Sequence, residues 1–197
     1  MRPKLSLTRK EAINLGLCHG NQIWYDGCAY EVDEFSELKD VKIKGDLSLA
    51  YLASLKSLPS GLKVGGNLDL SGCKSLTSIP LGLQVRGNLH LSGCKSLKSL
   101  APDLKVGGDL SLSGSKSLKS LPSGLQVGGD LDLHECTPLK SLPADLVVGD
   151  NLDLEGCVSL ESLPSDLKVG GYVNLLKCDS LKSIPSHLRD SVRYCAF

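Results

Sequence analysis

A chain of 197 residues with 22 basic and 22 acidic side chains has no bulk polycation to draw it to nucleic acid and no acidic tail. No apolar run approaches the ~18 residues of a membrane span, and the start MRPKLSLTRKEAINLGLC lacks the apolar core of a signal peptide. The expectation is a soluble cytoplasmic protein with no membrane partner, built as one elongated domain with additions at its ends.

Thr8 followed by Glu11 has capping-box spacing and precedes Ala12, Ile13, Leu15 and Leu17. This predicts a short helix over about residues 8 to 16, ended by Gly16 or Gly20. QIWYDGCAYEV then alternates around Asp26 and Gly27, a pair suited to a tight hairpin turn. Trp24, Tyr25, Tyr30 and Phe35 concentrate the aromatic rings here. A small α+β segment over residues 1–42 reads first as a cap on an uncovered apolar face. A hairpin bearing rings is also what a dedicated binding module looks like.

From 43 to 189 one 21-residue phrase, seen in KVGGNLDLSGCKSLTSIPLGL, recurs seven times without insertion. Ile43, Val64, Val85, Val106, Val127, Val148 and Val169 open the copies, and Leu47, Leu68, Leu89, Leu110, Leu131, Leu152 and Val173 follow four residues later. A fixed period of this size marks a solenoid, in which each copy is one coil stacked on the last. Leu62, Val64, Gly66, Leu68 and Leu70 alternate as one strand, whereas Cys73, Leu76 and Ile79 fall at intervals of three, as the corners of a return path. The proline column from Pro59 through Pro80 to Pro185 belongs on that return side, since proline has no N–H for a central ladder. The glycine column Gly45, Gly66, Gly87, Gly108, Gly129, Asp150, Gly171 is broken only by Asp, so it is expected to hold left-handed backbone. The neighbouring column admits Lys44 and Arg86 and is expected to have ordinary φ and face solvent. On that reading Gly108→Val should cost at least ~1 kcal/mol more than Gly107→Val. Residues 190–197 form a C-terminal cap or tail.

LDLSGCKSLTSIP and LHLSGCKSLKSL match the phrase LxLxxCxxLxxLP, and with LPSGLKV the unit resembles the short, nested leucine-rich repeats of bacterial and phage proteins. It is similar to the repeat region of bacterial secreted effectors that carry a ubiquitin-ligase domain. The pattern departs at Gly65, which holds the first leucine position of the strand motif, with Val64 one residue earlier. The resemblance implies a mainly β solenoid, a right-handed stack of seven coils, that works by binding other proteins. It also admits delivery into a host cell. The ligase activity is not carried over.

Cys73, Cys94, Cys136, Cys157 and Cys178 share one column with Leu52 and Ser115. Leu and Ser at equivalent places mark a small buried site, and without a Cys-x-x-Cys pair the column is expected to hold structural thiols, with no metal and no disulfide. GGNLD and GGDLD have the wrong period for calcium-binding β-rolls. His19, His90, His134 and His187 share no motif, and no Ser or Cys has a paired base, so no catalytic residues and no cofactor are assigned. The serine columns running from Ser57 to Ser183 and from Ser54 to Ser180 are read as hydroxyls that satisfy turn backbone.

Charge is sorted more informatively. The outward strand positions include Asp69, His90, Asp109, Asp130, Asp132, His134, Asp153, Glu155 and Tyr172 and no Lys or Arg, while Lys56, Lys98, Lys119, Lys140 and Lys182 line the turns. Those nine residues are the expected contact surface for a protein partner with a basic patch. Like charges there repel, so removing them is expected to leave stability unchanged or slightly raised. The expected function is a non-catalytic interaction scaffold. One alternative is an effector or phage-type inhibitor that blocks an enzyme or nucleic-acid-binding complex. The other, disfavoured by the neutral charge, is a nucleic-acid binder using the turn lysines.

Overall fold

The computed structural model describes residues 11–12, 22–25, 28–31 and 35–194, with side chains for 35–193. Each 21-residue copy makes one coil with two very short strands, one in each of two parallel sheets. The first sheet runs in the order β1 (Glu11–Ala12), β4 (Lys42–Ile43), β6 (Lys63–Val64), β8 (Gln84–Val85), β10 (Lys105–Val106), β12 (Gln126–Val127), β14 (Val147–Val148) and β16 (Lys168–Val169). The second holds β5 (Leu47–Ser48), β7 (Leu68–Asp69), β9 (Leu89–His90), β11 (Leu110–Ser111), β13 (Leu131–Asp132), β15 (Leu152–Asp153) and β17 (Val173–Asn174), closed by β18 (Val192–Tyr194). Within the repeat, from β4 to β17, partners lie 21 residues apart in register, as Leu110 with Leu131 and Ser111 with Asp132. The protein is a parallel β-solenoid of about seven coils. No helix among the described residues is long and apolar enough to cross a membrane.

The core is a set of stacked columns. Leu68, Leu70, Cys73, Leu76 and Leu83 are fully buried, and their equivalents in later coils continue the same rows. A single coil covers neither edge of these side chains, and its neighbours supply both the apolar cover and the inter-strand hydrogen bonds. The three-residue spacing of the return path has a backbone cause. Cys73 N–H donates to the Leu70 carbonyl and Leu76 N–H to the Cys73 carbonyl, each at 3.1 Å, so every third residue is turned inward. Phe35 and Val41 join this core, and Asp40 N–H donates to the Ser60 carbonyl at 2.8 Å, so coil-like stacking already begins ahead of Ile43.

Three expectations are corrected. The alternation from Leu62 to Leu70 is two strands, β6 and β7, in different sheets, because the chain bends at Gly65 and Gly66 between them. That bend is why the strand motif departs from its pattern at Gly65. At the N-terminus, Glu11 and Ala12 are strand and not helix, pairing in parallel with Lys42 and Ile43. The open edge of the first sheet offers backbone partners there, and a helix of two turns is marginal by itself. The rest of the predicted helix lies outside the described residues. The hairpin is present, with β2 (Gln22–Tyr25) antiparallel to β3 (Cys28–Glu31), while its Asp26 and Gly27 turn lies outside them.

The third correction concerns glycine. Left-handed backbone belongs to the corner column Tyr51, Gly72, Gly93, Gly114, Glu135, Gly156 and Lys177, and to Asp40, Gly61, Gly82 and Gly124 at the other corner. Gly108 is not among them. Gly108 is instead constrained by closeness: a Cβ there would collide with Asn88 Oδ1, and one on Gly107 with the Arg86 carbonyl oxygen. The expected difference between valine at the two positions therefore has no basis in φ. Gly93, at φ 70°, isolates the backbone effect, because a Cβ there meets nothing nearer than 3.9 Å. Gly93→Ala should lose about 1 to 2 kcal/mol, the cost of a left-handed L-residue. An unchanged urea midpoint would show that this corner does not require glycine.

Candidate functional site on the acidic strand face

The outward residues of the second sheet form parallel rows across the coils. Ser48, Asp69, His90, Ser111, Asp132, Asp153 and Asn174 align in strand register, each one coil from the next. A second row, two residues earlier, is built from Asp46, Asn67, Asn88, Asp109, Asp130, Asn151 and Tyr172.

This second row has a structural reason for being Asn or Asp. At the bend between the sheets the N–H of each member is accepted by the side chain one coil before: Asn67 N–H by Asp46 Oδ1 (2.6 Å), Asn88 by Asn67 (2.8 Å), Asp109 by Asn88 (2.9 Å), Asp130 by Asp109 (2.9 Å), Asn151 by Asp130 (2.8 Å) and Tyr172 by Asn151 (3.0 Å). The side-chain oxygens thus carry the hydrogen-bond ladder around the corner, and each bond contributes about 1 kcal/mol net. Tyr172 terminates the row, and the guanidinium of Arg193 lies 5.5 Å from its ring centroid.

In the register row the carboxylates cap their own turns. Asp69 Oδ1 accepts from Ser71 N–H, Asp132 Oδ1 from His134 N–H and Asp153 Oδ1 from Glu155 N–H, at 2.8 to 2.9 Å. Asp132 Oδ2 also accepts from Ser111 Oγ at 2.8 Å, and Asn174 Nδ2 donates to Asp153 Oδ1 at 3.1 Å. Removing these side chains therefore takes away backbone partners, which the expectation of unchanged stability did not include. The loss expected on replacement by Lys is about 1 kcal/mol for each cap.

Asp109, Asp130, Asp132 and Asp153 lie on three successive coils and form one acidic group, half-buried except for exposed Asp130. Asp69 stands three strands from Asp132, about 14 Å along the stack, with His90 and Ser111 between. His134 and Glu155 extend the group on the side of the return path, and Tyr172 stands at its C-terminal end. Cations border the group, which sequence position alone did not show. Lys116 Nζ lies 2.9 Å from Glu135 Oε2 and Lys177 Nζ lies 3.2 Å from Glu155 Oε1. The hydrogen bond from Lys116 holds the Glu135 carboxyl below the usual range, and that from Lys177 does the same for Glu155. The signal was present at Lys177, which occupies the same corner column as Gly72 and Gly93 beside the strand face.

Beneath this face Cys73, Cys94, Cys136, Cys157 and Cys178 are buried. Each thiol donates to a carbonyl of the preceding coil: Cys73 to Leu49 (3.1 Å), Cys94 to Leu70 (3.2 Å), Cys136 to Leu112 (3.3 Å), Cys157 to Leu133 (3.2 Å) and Cys178 to Leu154 (3.1 Å). Burial pushes the Cys94 thiol up to about 11 and Cys136 up to about 12, and raises Cys157 as well. Protonated thiols of this kind are poor nucleophiles and poor metal ligands. Among the described residues no three His, Cys, Asp or Glu side chains gather where they could hold a metal ion.

The fold and this face define a repeat β-solenoid with an ordered acidic surface. Comparison with protein-family models, with curated proteins and with solved structures finds no match for the chain.

Proposed function

We propose that this protein is a non-catalytic binding scaffold, of bacterial or phage leucine-rich-repeat type, whose strand face receives a basic patch on a protein partner. The observation that carries the reading is the group Asp109, Asp130, Asp132 and Asp153, whose carboxylates are already held by backbone N–H groups before any partner arrives. Ordering them costs little on binding, which favours affinity, and their common sign favours fast, salt-sensitive association.

The hydrogen bonds dictate how to test this. Lysine at Asp132 would destroy a turn cap as well as a charge, whereas Asn keeps an Oδ1 that accepts the same N–H. The double variant Asp132→Asn, Asp153→Asn should melt close to the parent and weaken binding of a partner captured at low salt by at least ~2 kcal/mol, the range of interface hot spots. Undiminished binding by a folded double variant would overturn the reading.

A further inference from the structure

The outward face of the first sheet is basic, and its charges line two adjoining cavities. The first, about 460 Å³, is lined by Lys42, Lys44, Lys63, Gln84 and Arg86 around the backbone of Gly65. The second, about 420 Å³, shares Gln84 and Arg86 and continues to Lys105, Gly107 and Gln126. Strand register makes these one furrow, because Lys42, Lys63, Gln84, Lys105 and Gln126 are successive partners across β4, β6, β8, β10 and β12. Five strands span about 19 Å. Arg86 stands between the glycine positions 65 and 107 of its own column and lines both cavities. Among the described residues no carboxylate lines either cavity. Lys63, Arg86 and Lys105 stand at the centre of the furrow.

We infer that this furrow binds the phosphodiester backbone of a single-stranded nucleic acid. An extended furrow of cations spaced along the solenoid axis suits a linear polyanion, and the guanidinium and amide groups supply donors for phosphate oxygens. The exposed large apolar residues Tyr51, Leu81, Val158 and Tyr172 all lie off this face. Among the described residues it therefore has neither an apolar wedge for a bilayer nor aromatic platforms for bases, and binding is by phosphate, independent of sequence. The return-side lysines are less suited, since Lys182 pairs with Glu161 at 3.2 Å.

The repeat itself supplies benign substitutions: Gln already stands at positions 84 and 126 of the lysine column, and Gly at 65 and 107 of the arginine column. The triple variant Lys63→Gln, Arg86→Gly, Lys105→Gln uses only these. A dye-labelled oligothymidylate of about 12 nucleotides, a length within one protein's usual footprint, should bind the parent at low salt, with affinity falling steeply as salt rises. The triple variant should bind at least ~10-fold more weakly with a shallower salt slope, each phosphate contact accounting for about 0.7 of the slope. Lys98→Glu with Lys119→Glu should leave binding near the parent's. Circular dichroism and melting establish that both variants are folded. Absence of oligonucleotide binding, equal loss in the return-side variant, or binding of anionic phospholipid vesicles but not of the oligonucleotide would each overturn the inference.

Discussion

Raising the pH from about 9 to about 11 should remove up to roughly 4 kcal/mol of stability through Cys94 and Cys136 alone, a large part of what holds a typical domain together. In the unfolded chain these thiols titrate near the ordinary 9.0, whereas in the fold burial pushes them up to about 11 and about 12. Above pH 9 the unfolded state sheds protons that the folded state retains, so stability falls as pH rises, by about 1 kcal/mol per unit for each thiol. The decline continues until the folded thiols themselves ionise, and Cys157, also raised, steepens it. Urea midpoints measured across this range check it. The variant Cys94→Ala, Cys136→Ala should start lower but decline less steeply. Equal slopes would mean that the thiol column is hydrated or already ionised.

The same column yields a second large effect, of opposite signs at neighbouring coils. Ser115 occupies the cysteine position of its coil, is fully buried, and has a hydroxyl with no hydrogen-bond partner. The thiols at equivalent positions reach the carbonyl of the preceding coil because carbon–sulfur bonds are longer than carbon–oxygen bonds. Cys136→Ser should recreate the Ser115 situation one coil later and cost about 2 to 3 kcal/mol, the penalty of an unsatisfied buried hydroxyl plus lost packing. Ser115→Cys should gain about 1 kcal/mol by restoring a donor to the Leu91 carbonyl. Thermal melts of the two variants should move in opposite directions, by about 2 to 4 °C per kcal/mol at this chain length. A stabilised Cys136→Ser would show that the column tolerates hydroxyls.

The coil was legible because its evidence is periodic. Leu68, Leu70, Cys73, Leu76 and their equivalents recur every 21 residues, and inward positions tolerate little but apolar side chains. What periodicity could not fix was where the chain bends. A bend at Gly65 and Gly66 preserves the alternation of Val64, Gly66 and Leu68, so two strands in separate sheets read as one. The left-handed corner escaped notice for a related reason. It is filled by Tyr51, Glu135 and Lys177 as well as glycine, so it looks like a variable position, while the more constant column of Gly66, Gly87 and Gly108 is set by close approach of coils. The acidic row was visible as charge, but its role as a hydrogen-bond ladder depends on side chains meeting the N–H of the next coil, which only stacking reveals. The basic furrow was hidden because Lys63, Lys105 and Arg86 fall in columns shared with Gln and Gly, and their charge becomes continuous only when strands lie side by side.

The binding role of the strand face is tested most directly by labelling carboxylates and amines on the complex with a captured partner and reading both by mass spectrometry. Binding through that face predicts protection of Asp109, Asp130, Asp132 and Asp153, with Lys98 and Lys119 labelled as in the free protein. Protection of those lysines with unprotected aspartates would contradict it and move the protein-binding surface to the return side.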